Sequence, residues 1–513
     1  MTRLRFALVV LLFTTIPVVA TAAAAPANVA QWDRFEVTLP GPAEGNPFAD
    51  VQLSAVFTQG KTSVTVKGFY DNGGTYRVRF MPQRQGAWRY VTRSNVAALN
   101  NQTGSFNAVA PRKGNPGPVV VKDSFSFAYA SGAAYVPVGT TIYAMVHQED
   151  PLLERTIASL AKAPFNKVRL CVFPKWYSYN HVEPPRPPFV GDGQGRFDYA
   201  RPNPEFYQHL EKQIDRLAAL GIEVDLILFH PYDENHWGFD RMGRENDERY
   251  LSYLLARLSS FHNVWWSMAN EWDFVKRRTV EDWNRLFDLI AAEDPYRHLA
   301  SIHNGTKFFD HHRAPISHTS VQHPDVRRLY AWRKEYGKPA VDDECEYEGN
   351  IEAPWGNITP QELTHRFWVG FVSGGFVGHG ETYVAPDEVL WWARGGELRG
   401  QSPSRIAFLR KFIEEAGGLS PLPDQWPFDR TPAAKQGNRY VIYFGNHQPS
   451  IFTSFMTDQL VKDEPSLKTA TWRFEILDTW NMTRTPIPGV HKGKFSVTLP
   501  GQPWMALVAT PTK

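Results

Sequence analysis

Residues 27 to about 110 alternate apolar and polar positions with a period of two, which is the pattern of half-buried β-strands. Thr75–Phe80 is a clear example, since its aromatic and aliphatic residues would face inward while its arginines face water. The turn Asp71-Asn-Gly-Gly74 joins this segment to the preceding strand as a hairpin. The pattern predicts a small antiparallel β-sandwich over residues 27–110.

From about residue 118 the rhythm changes to strand, loop and helix. The helix predicted at Asn203–Leu220 has an Asn cap, Pro204 in its first turn and Gly221 as its stop. Further helices are predicted around Leu152–Ala161 and Tyr250–Leu258 and from the capping patterns at Thr279 and Thr359. The eight predicted strands lie near Tyr135–Ile142, Asn166–Phe173, Val224–His230, Val264–Asn270, Leu299–His303, His318–Gln322, Ala340–Glu344 and Gly375–Gly380. With no Gly-rich phosphate loop after the first strand, this order predicts a (β/α)₈ TIM barrel over residues 118–417 rather than an open sheet.

Period-two patterning returns after Gly417-Gly418 and the Pro-rich joint that follows it. Arg439–Phe444, Trp472–Leu477 and Lys494–Leu499 are predicted strands. We therefore predict a second small β-domain over residues 420–513, and a multidomain chain in the order β-sandwich, TIM barrel, C-terminal β-sandwich.

The chain begins with a basic start, an apolar stretch from Phe6 to Ala20 and an Ala-rich tract ending at Pro26. These features predict a secretory signal peptide over residues 1–25, and Pro17 within the short apolar stretch argues against a membrane anchor. No other segment approaches the roughly 18 apolar residues of a membrane span. We expect a protein that is secreted or periplasmic, with no membrane attachment after cleavage.

Charge and composition narrow the function. The 55 basic and 53 acidic residues give a net charge of +2 without a basic stripe, which argues against nucleic acid as a partner. The only cysteines, Cys171 and Cys345, favour two buried thiols over a single bridge between them. The 17 Trp residues would suit stacking on sugar rings as well as packing in a core.

Polar residues follow every predicted barrel strand, and the carboxyl ends of these strands meet at one rim, where active sites of such barrels lie. In strand order they are Tyr143 and His147; Arg169, Lys175 and Tyr179; His230 and Asp233; Asn270, Glu271 and Asp273; His303 and Asn304; Gln322 and His323; Glu344, Glu346 and Glu348; His379, Glu381 and Tyr383.

The Asn270-Glu271 pair is the most specific of these features. It follows the apolar run that ends the fourth strand, and a carboxylate beside apolar walls acquires the raised pKa of a general acid. Strand alternation places Asp342, Glu344 and Glu346 on one face of the seventh strand, and all three are candidates for a second carboxylate. Glu344 is preferred because it lies nearest the strand end, whereas Glu346 and Glu348 fit the outgoing loop better. Two carboxylates at one rim predict acid/base and nucleophilic chemistry on a glycosidic bond.

Other chemistries have weaker support. His311, His312, His318 and His323 lack the spacing of helical or structural zinc sites, so we expect neither a metal nor an organic cofactor. A Gly-x-Ser-x-Gly elbow for serine hydrolysis is also missing from the sequence.

Several motifs together resemble a known family. They are Gly139-Thr-Thr, Phe229-His-Pro-Tyr232, Trp265-Trp-Ser-Met-Ala-Asn-Glu271, Asp343-Glu-Cys-Glu-Tyr-Glu-Gly349 and His379-Gly-Glu-Thr-Tyr383. The chain resembles the clan A retaining glycoside hydrolases, and more closely a bacterial branch of cellulase-like hydrolases. Members of that branch join an N-terminal immunoglobulin-like domain, an apiosidase-type barrel and a C-terminal β-sandwich, and the resemblance covers the whole mature chain.

The resemblance implies that Glu271 is the acid/base and Glu344 the nucleophile. We expect Asn270 to hydrogen-bond the sugar and Arg169 to orient Glu344 and lower its pKa. The expected partner is a poly- or oligosaccharide substrate. The further predicted sugar contacts are Tyr179, His230, His323, His379, Glu381 and Trp391.

Two alternatives remain from the sequence. A non-catalytic carbohydrate-binding barrel would use the same scaffold, although the presence of both carboxylates argues against it. A polysaccharide lyase with a Tyr or His base would need a cationic cluster to neutralise a uronate, and the predicted rim is not strongly basic.

Overall fold

The computed structural model describes residues 27–387, 390–422, 433–453, 462, 464–493 and 495–512. The predicted signal peptide lies outside these residues. Three domains follow one another along the chain: an N-terminal β-domain, a central barrel of eight parallel strands and a C-terminal β-domain. The predicted order of folds is therefore confirmed.

The N-terminal domain is one sheet that folds over itself. Its strands are Ala27–Ala30, Phe35–Pro40, Leu53–Gln59, Thr62–Tyr70, Thr75–Phe80, Gly86–Ser94 and Thr103–Val109. The strand Thr62–Tyr70 pairs with one neighbour over its first six residues and with another over its last three, so the sheet turns a corner there. Gly68 lies at this corner, where a Cβ would collide with Leu53. The enclosed core is aromatic and includes Phe57 stacked on Phe80.

A buried ion cluster fastens this domain to the barrel. Arg257, from the barrel helix Arg244–Leu258, donates to Asp71 of the N-terminal sheet at 2.7 Å and to Glu211 of a neighbouring barrel helix at 2.6 Å. Arg79 of the sheet completes the cluster through Glu211 at 2.7 Å. Because all four side chains are buried, each charge depends on its partners for compensation.

The barrel strands are Gly139–Thr141, Lys167–Cys171, Glu223–Phe229, Val264–Ala269, Ala300–Ser301, Thr319–Gln322, Ala340–Glu344 and Phe376–His379. Each strand pairs in parallel with its neighbours, in the order fifth, fourth, third, second, first, eighth, seventh, sixth. Hydrogen bonds from Ser317 to Ala300 and between Asn304 and Gln322 link the fifth and sixth strands and close the ring.

The surrounding helices are Asp150–Leu160, Pro204–Ala219, Arg244–Leu258, Val280–Glu293, Leu329–Tyr336, Pro360–Val372, Trp391–Arg394 and Ser402–Glu414. Asn203 caps its helix as predicted, and Thr279 forms a capping box with Asp282. Residues 302–318, all described, contain no helix, so the fifth strand is followed by a loop alone. The first predicted strand is also shorter than expected, because the segment breaks into Ala134–Tyr135 and Gly139–Thr141 on either side of Pro137.

Smaller elements complete the chain. The short helix Pro47–Asp50 precedes the sheet corner, and a three-stranded sheet of Val119–Asp123, Ser126–Tyr129 and Ala134–Tyr135 covers the barrel floor. Two pairs lie beyond the barrel strands: Phe189–Gly191 with Phe197–Pro202, and Glu348–Gly349 with Glu381–Thr382. The C-terminal domain contains the strands Ser420–Pro421, Ala433–Gln436, Arg439–Tyr443, Ile451–Thr453, Thr471–Asp478, Thr483–Lys492, Ser496–Thr498 and Met505–Thr512.

The C-terminal sheet packs on the barrel through Tyr443, whose ring stacks on Trp368 at 5.5 Å between centroids. Among the described residues, no helix has the length and apolar character needed to cross a membrane. Cys171 and Cys345 are free and buried, as the sequence favoured.

Candidate active site

The fourth barrel strand ends in a carboxylate held by an unusual backbone. Glu271 has a φ of 50°, a left-handed conformation that residues with side chains adopt at an energetic cost. The next residue, Trp272, fixes this turn by donating its backbone N–H to the carbonyl oxygen of His303 at 3.0 Å. The Glu271 carboxylate accepts hydrogen bonds from the Tyr232 hydroxyl and from Nδ2 of Asn270 at 3.1 Å. The conformation therefore aims a buried carboxyl group at a polar cluster.

The seventh strand delivers the second carboxylate to the same cluster. Oε1 of Glu344 accepts from Nη1 of Arg169 at 2.9 Å and from the Tyr143 hydroxyl, and Nε2 of His303 lies 3.5 Å away. The other guanidinium nitrogen, Nη2, donates to Oδ1 of Asn270 at 3.1 Å. Since Asn270 also contacts Glu271, one chain of hydrogen bonds connects the two carboxyl groups.

The two carboxyl groups have opposite electrostatic environments. Burial, reinforced by the charge of Glu344, raises the pKa of Glu271 to about 7 from an ordinary 4.5. Burial would also raise the pKa of Glu344, but His303, Arg169 and the Tyr143 hydroxyl outweigh it, and the pKa of Glu344 is lowered. Burial and Arg169 lower the pKa of His303 to about 4, so Arg169 is the permanent charge that keeps Glu344 ionised near neutrality. One group is thus suited to carry a proton and the other to remain an anion.

A second layer of charge lies beneath the pair. Lys167 bridges Asp225 at 2.9 Å and Asp343 at 2.7 Å, and the Ser320 hydroxyl donates to Asp343 at 2.7 Å. Nε of Arg169 lies 3.9 Å from Asp225. These buried ion pairs hold the Arg169 side chain in position within the barrel interior.

The prediction that Asp342, Glu344 and Glu346 share one face of the seventh strand is wrong. The pairing with the sixth strand shifts at a bulge, so Asp343 reaches the barrel interior alongside Glu344. Asp342 instead accepts from the backbone N–H of His323 at 3.3 Å. Glu346 lies past the strand end, as expected for the outgoing loop, where its carboxylate pairs with Arg366 at 2.8 Å.

Aromatic rings and one lysine form a wall beside the carboxyl groups. Nζ of Lys175 lies 3.4 Å from the ring centre of Tyr143 and 4.0 Å from that of Tyr232. Trp392 packs edge-on against Tyr143 at 5.3 Å. Tyr232 and Trp392 were not predicted from the sequence as site residues, although the position of Tyr232 two residues after His230, at the end of the third strand, was a usable signal.

Tyr179, predicted as a sugar contact, is half-buried at this wall. Its ring lies 5.6 Å from Trp392 and 5.9 Å from Trp355, both in edge-on contacts. Tyr177 joins the same group at 5.8 Å from Tyr179. The group offers apolar ring surface next to the carboxyl groups.

The ring nitrogens of His230 and His323 are already engaged. Those of His230 contact the Phe173 carbonyl oxygen and the Tyr232 N–H, each at 3.1 Å. Those of His323 accept from the Asp325 N–H at 2.9 Å and lie 3.1 Å from Arg328. These contacts hold loop backbones and a neighbouring side chain, and sugar binding by either histidine stays a prediction.

His379 and Trp391, also predicted to contact sugar, share a hydrogen-bonding partner, and their role in sugar binding stays a prediction. Nδ1 of His379 lies 2.9 Å from the Thr140 hydroxyl, to which Nε1 of Trp391 donates at 2.9 Å. The ring of His379 stacks on Phe165 at 4.6 Å. Both side chains are buried, and their contacts place them in the packing of the barrel wall.

Glu381, another predicted sugar contact, is held by backbone N–H groups. Its carboxylate accepts from the backbone N–H groups of Arg399 at 2.5 Å and Gly400 at 2.8 Å, while Glu348 accepts from that of Ser402 at 3.0 Å. Burial raises the pKa of Glu381 to about 7. These two carboxyl groups anchor the end of the loop that carries Trp392, rather than forming part of the Glu271 cluster.

No group of three or more potential metal ligands is found among the described residues. His311 and His318 are buried, and the Lys338 ammonium donates to the His311 carbonyl oxygen at 2.5 Å.

The fold and the paired carboxyl groups define a glycoside-hydrolase-like barrel. A structure from Bacteroides vulgatus ATCC 8482, described as a candidate glycoside hydrolase, is 40% identical with a TM-score of 0.88, covering 95% of this chain and 100% of its own. A glycoside hydrolase family 5 structure from the same organism matches at 14% identity and a TM-score of 0.57, covering 77% and 93% of the two chains, and supports the fold alone. A comparison with curated proteins finds no match.

The particular family follows from the sequence match. Residues 123–415 match the apiosidase-like catalytic domain, and the chain belongs to this family. Residues 28–95 and 428–510 match two domains of unknown function, DUF5060 and DUF5605. These relationships support a glycosidase that acts on carbohydrate.

Proposed function

We propose that this protein is an exported, retaining glycoside hydrolase that cleaves a poly- or oligosaccharide by double displacement. The observation that carries the proposal is the contrast between the two buried carboxyl groups. Glu271 has a pKa raised to about 7, whereas Arg169 holds Glu344 as an anion. A protonated carboxyl group facing an ionised one is the arrangement that retaining glycosidases require.

In the first step, the Glu344 carboxylate attacks the anomeric carbon and forms an ester bond to the sugar. The bond to the leaving oxygen breaks, and Glu271 gives that oxygen its proton. In the second step, the ionised Glu271 takes a proton from water, whose oxygen attacks the anomeric carbon and releases Glu344. Asn270 and Arg169 position the carboxyl groups throughout, because their hydrogen bonds connect both. We expect the carboxyl groups to lie about 5–5.5 Å apart, the separation that permits a covalent intermediate.

Variants of the two glutamates test this mechanism. Glu344→Ala should lose nearly all turnover, since no nucleophile remains. Glu271→Ala should be less impaired on aryl glycosides whose leaving group needs no proton, and azide should restore part of its activity by replacing water. Glu346→Ala is the matched control because Glu346 lies two residues beyond Glu344 and pairs with Arg366 instead.

The stereochemistry of the product is the decisive measurement. NMR of the first-formed sugar should show retained configuration at the anomeric carbon. Inverted product, or a Glu344→Ala enzyme as active as the parent, would exclude the mechanism. Full activity in Glu344→Ala with loss in Glu346→Ala would move the nucleophile to Glu346. An unsaturated product absorbing in the near ultraviolet would identify a lyase, and binding without turnover across a broad glycan panel would identify a carbohydrate-binding barrel.

We further propose that residues 1–25 are removed on export and that the flanking β-domains support the barrel or position glycan. Neither flanking domain carries a paired-carboxylate pattern in the sequence. The intact mass of the secreted protein should correspond to a start near Ala23–Pro26. Retention of Met1, or hydrolysis by residues 27–110 or 420–513 alone, would contradict these assignments.

A further inference from the structure

Lys175 is a buried cation that has no anionic hydrogen-bonding partner among the residues the structure describes. It follows the second barrel strand and is 1% exposed, yet no hydrogen bond or ion pair of its ammonium group is found within the described part of the chain. Lys167, at the start of the same strand, pairs with Asp225 and Asp343. An unpaired buried ammonium is energetically unfavourable, so its position calls for a compensating function.

The surroundings of Lys175 relate it to both carboxyl groups of the site. Its Nζ lies over the rings of Tyr143 and Tyr232, whose negative faces attract a cation. The same two tyrosines donate their hydroxyl hydrogens to Glu344 and Glu271, respectively. Lys175 therefore contacts both tyrosines whose hydroxyl groups hold the reacting carboxyl groups.

The buried charges balance only when Lys175 is counted. The cations are Lys167, Arg169 and Lys175, and the anions before reaction are Asp225, Asp343 and Glu344, with Glu271 protonated. After Glu344 has formed an ester and Glu271 has given up its proton, the number of anions is again equal to that of the cations. Without Lys175, the cluster would carry an excess negative charge in both states.

We propose that Lys175 is a positioning residue of the double displacement, which keeps the buried site electrically balanced while the negative charge passes from Glu344 to Glu271. This inference rests on the proposed function of the site. In this role, the positive charge of Lys175 stabilises the ionised form of Glu271, which is the form that activates water in the second step.

Other groups around Glu271 also shift its pKa. Glu344 repels the ionised form, while hydrogen bonds from Tyr232, Asn270 and Gln322 favour it. Cys171, a titratable neighbour of Lys175, is a neutral thiol near pH 7 because burial raises its pKa to about 12. Lys175 is thus the nearby cation that acts on Glu271.

The first experiment compares the pH dependence of kcat/KM for an aryl glycoside in Lys175→Met, Lys175→Arg and the parent. The basic limb reports the pKa of the acid, Glu271, and loss of a nearby positive charge raises that pKa. We expect the limb of Lys175→Met to move upward by about one pH unit and that of Lys175→Arg to remain within a few tenths of the parent. Lys212→Met, on an exposed helix surface, is the matched control and should leave the limb unchanged. Lys175→Gln makes the same charge change if the methionine variant does not fold.

A basic limb that superimposes on that of the parent in Lys175→Met and Lys175→Gln would overturn the proposal. So would a rise in KM confined to negatively charged substrates, which would make Lys175 a substrate contact. A slower second step, seen as a larger pre-steady-state burst with an activated leaving group, would support it.

A second readout needs no turnover. The melting temperature of the barrel should fall as pH rises through the pKa of Glu271, and in Lys175→Met this fall should continue to higher pH. Adding Glu271→Gln should remove the difference between the lysine variants. If this pattern holds but no glycoside is hydrolysed, the glycosidase proposal fails while the electrostatic coupling stands. If hydrolysis proceeds without this pattern, the inference about Lys175 fails alone.

Discussion

The raised pKa of Glu271 predicts that replacing this residue by Gln stabilises the protein at alkaline pH. The pKa is about 7 in the folded chain against an ordinary 4.5. Because the folded-state value is raised, the associated stability is fully present below pH 4.5 and is lost as pH rises through 7. A difference of about 2.5 pKa units corresponds to roughly 3 kcal/mol, lost completely above about pH 8.

Glu271→Gln keeps the shape of the side chain and has no proton to lose. Its amide oxygen can still accept from Tyr232 and Asn270. Calorimetry between pH 4 and pH 9 should show equal melting temperatures at the acid end. The variant should melt roughly 6 °C higher than the parent above pH 8, using about 2 °C per kcal/mol for a domain of this size.

Glu352→Gln provides the control, since Glu352 lies exposed on a loop and its substitution should leave the pH dependence unchanged. The reasoning would be refuted if Glu271→Gln were destabilised at pH 8, or if its melting temperature differed from the parent by the same amount at every pH. Either result would mean that folded Glu271 does not favour its protonated form, and the acid role would lose its physical basis.

Further substitutions probe the aromatic wall, the acid and the domain junction, two of them as controls. Trp392→Ala should lower kcat/KM on the natural glycan roughly tenfold by removing ring surface, whereas Trp391→Ala should mainly destabilise the barrel by about 3–5 kcal/mol, as measured by denaturant unfolding. Tyr232→Phe should move the basic limb of the pH–rate profile upward, because the hydrogen bond from Tyr232 lowers the pKa of Glu271 and its loss raises that pKa; an unchanged limb would contradict that contact. Arg257→Met should cost about 3–5 kcal/mol by leaving buried carboxylates unpaired, and calorimetry of the exposed variant Arg244→Met should show almost no change.

The sequence was sufficient to predict the architecture and the two carboxylates. The barrel strands carry long apolar runs that end in polar residues, and in such barrels these ends share one rim. Glu271 and Glu344 therefore come together although they are far apart in the chain. Arg169 could be placed by the same argument, and the structure shows the predicted contact with Glu344.

Side-chain direction was harder to predict, because it depends on irregular pairing. The bulge in the seventh strand interrupts the period of two, so Asp343 points inward where alternation predicts Asp342. Trp391 and Trp392 are neighbours in a one-turn helix, and their sequence does not specify which of them packs against Thr140. A shift of one residue along this helix therefore decides which tryptophan packs in the core and which lies in the site.

The anchoring of the loop after the eighth strand has a consequence for how this family can diversify. Asn350 accepts from the Val384 N–H at 2.7 Å at one end of the loop, and Glu381 and Glu348 hold the other end. At Gly400, a Cβ would collide with the Glu348 carboxylate, which restricts that anchor point to glycine. We expect the exposed residues between these anchors to vary between relatives, while Trp391 and Trp392 keep the loop packed against the barrel. Replacing those exposed residues would change what surrounds the carboxyl pair without moving the pair itself.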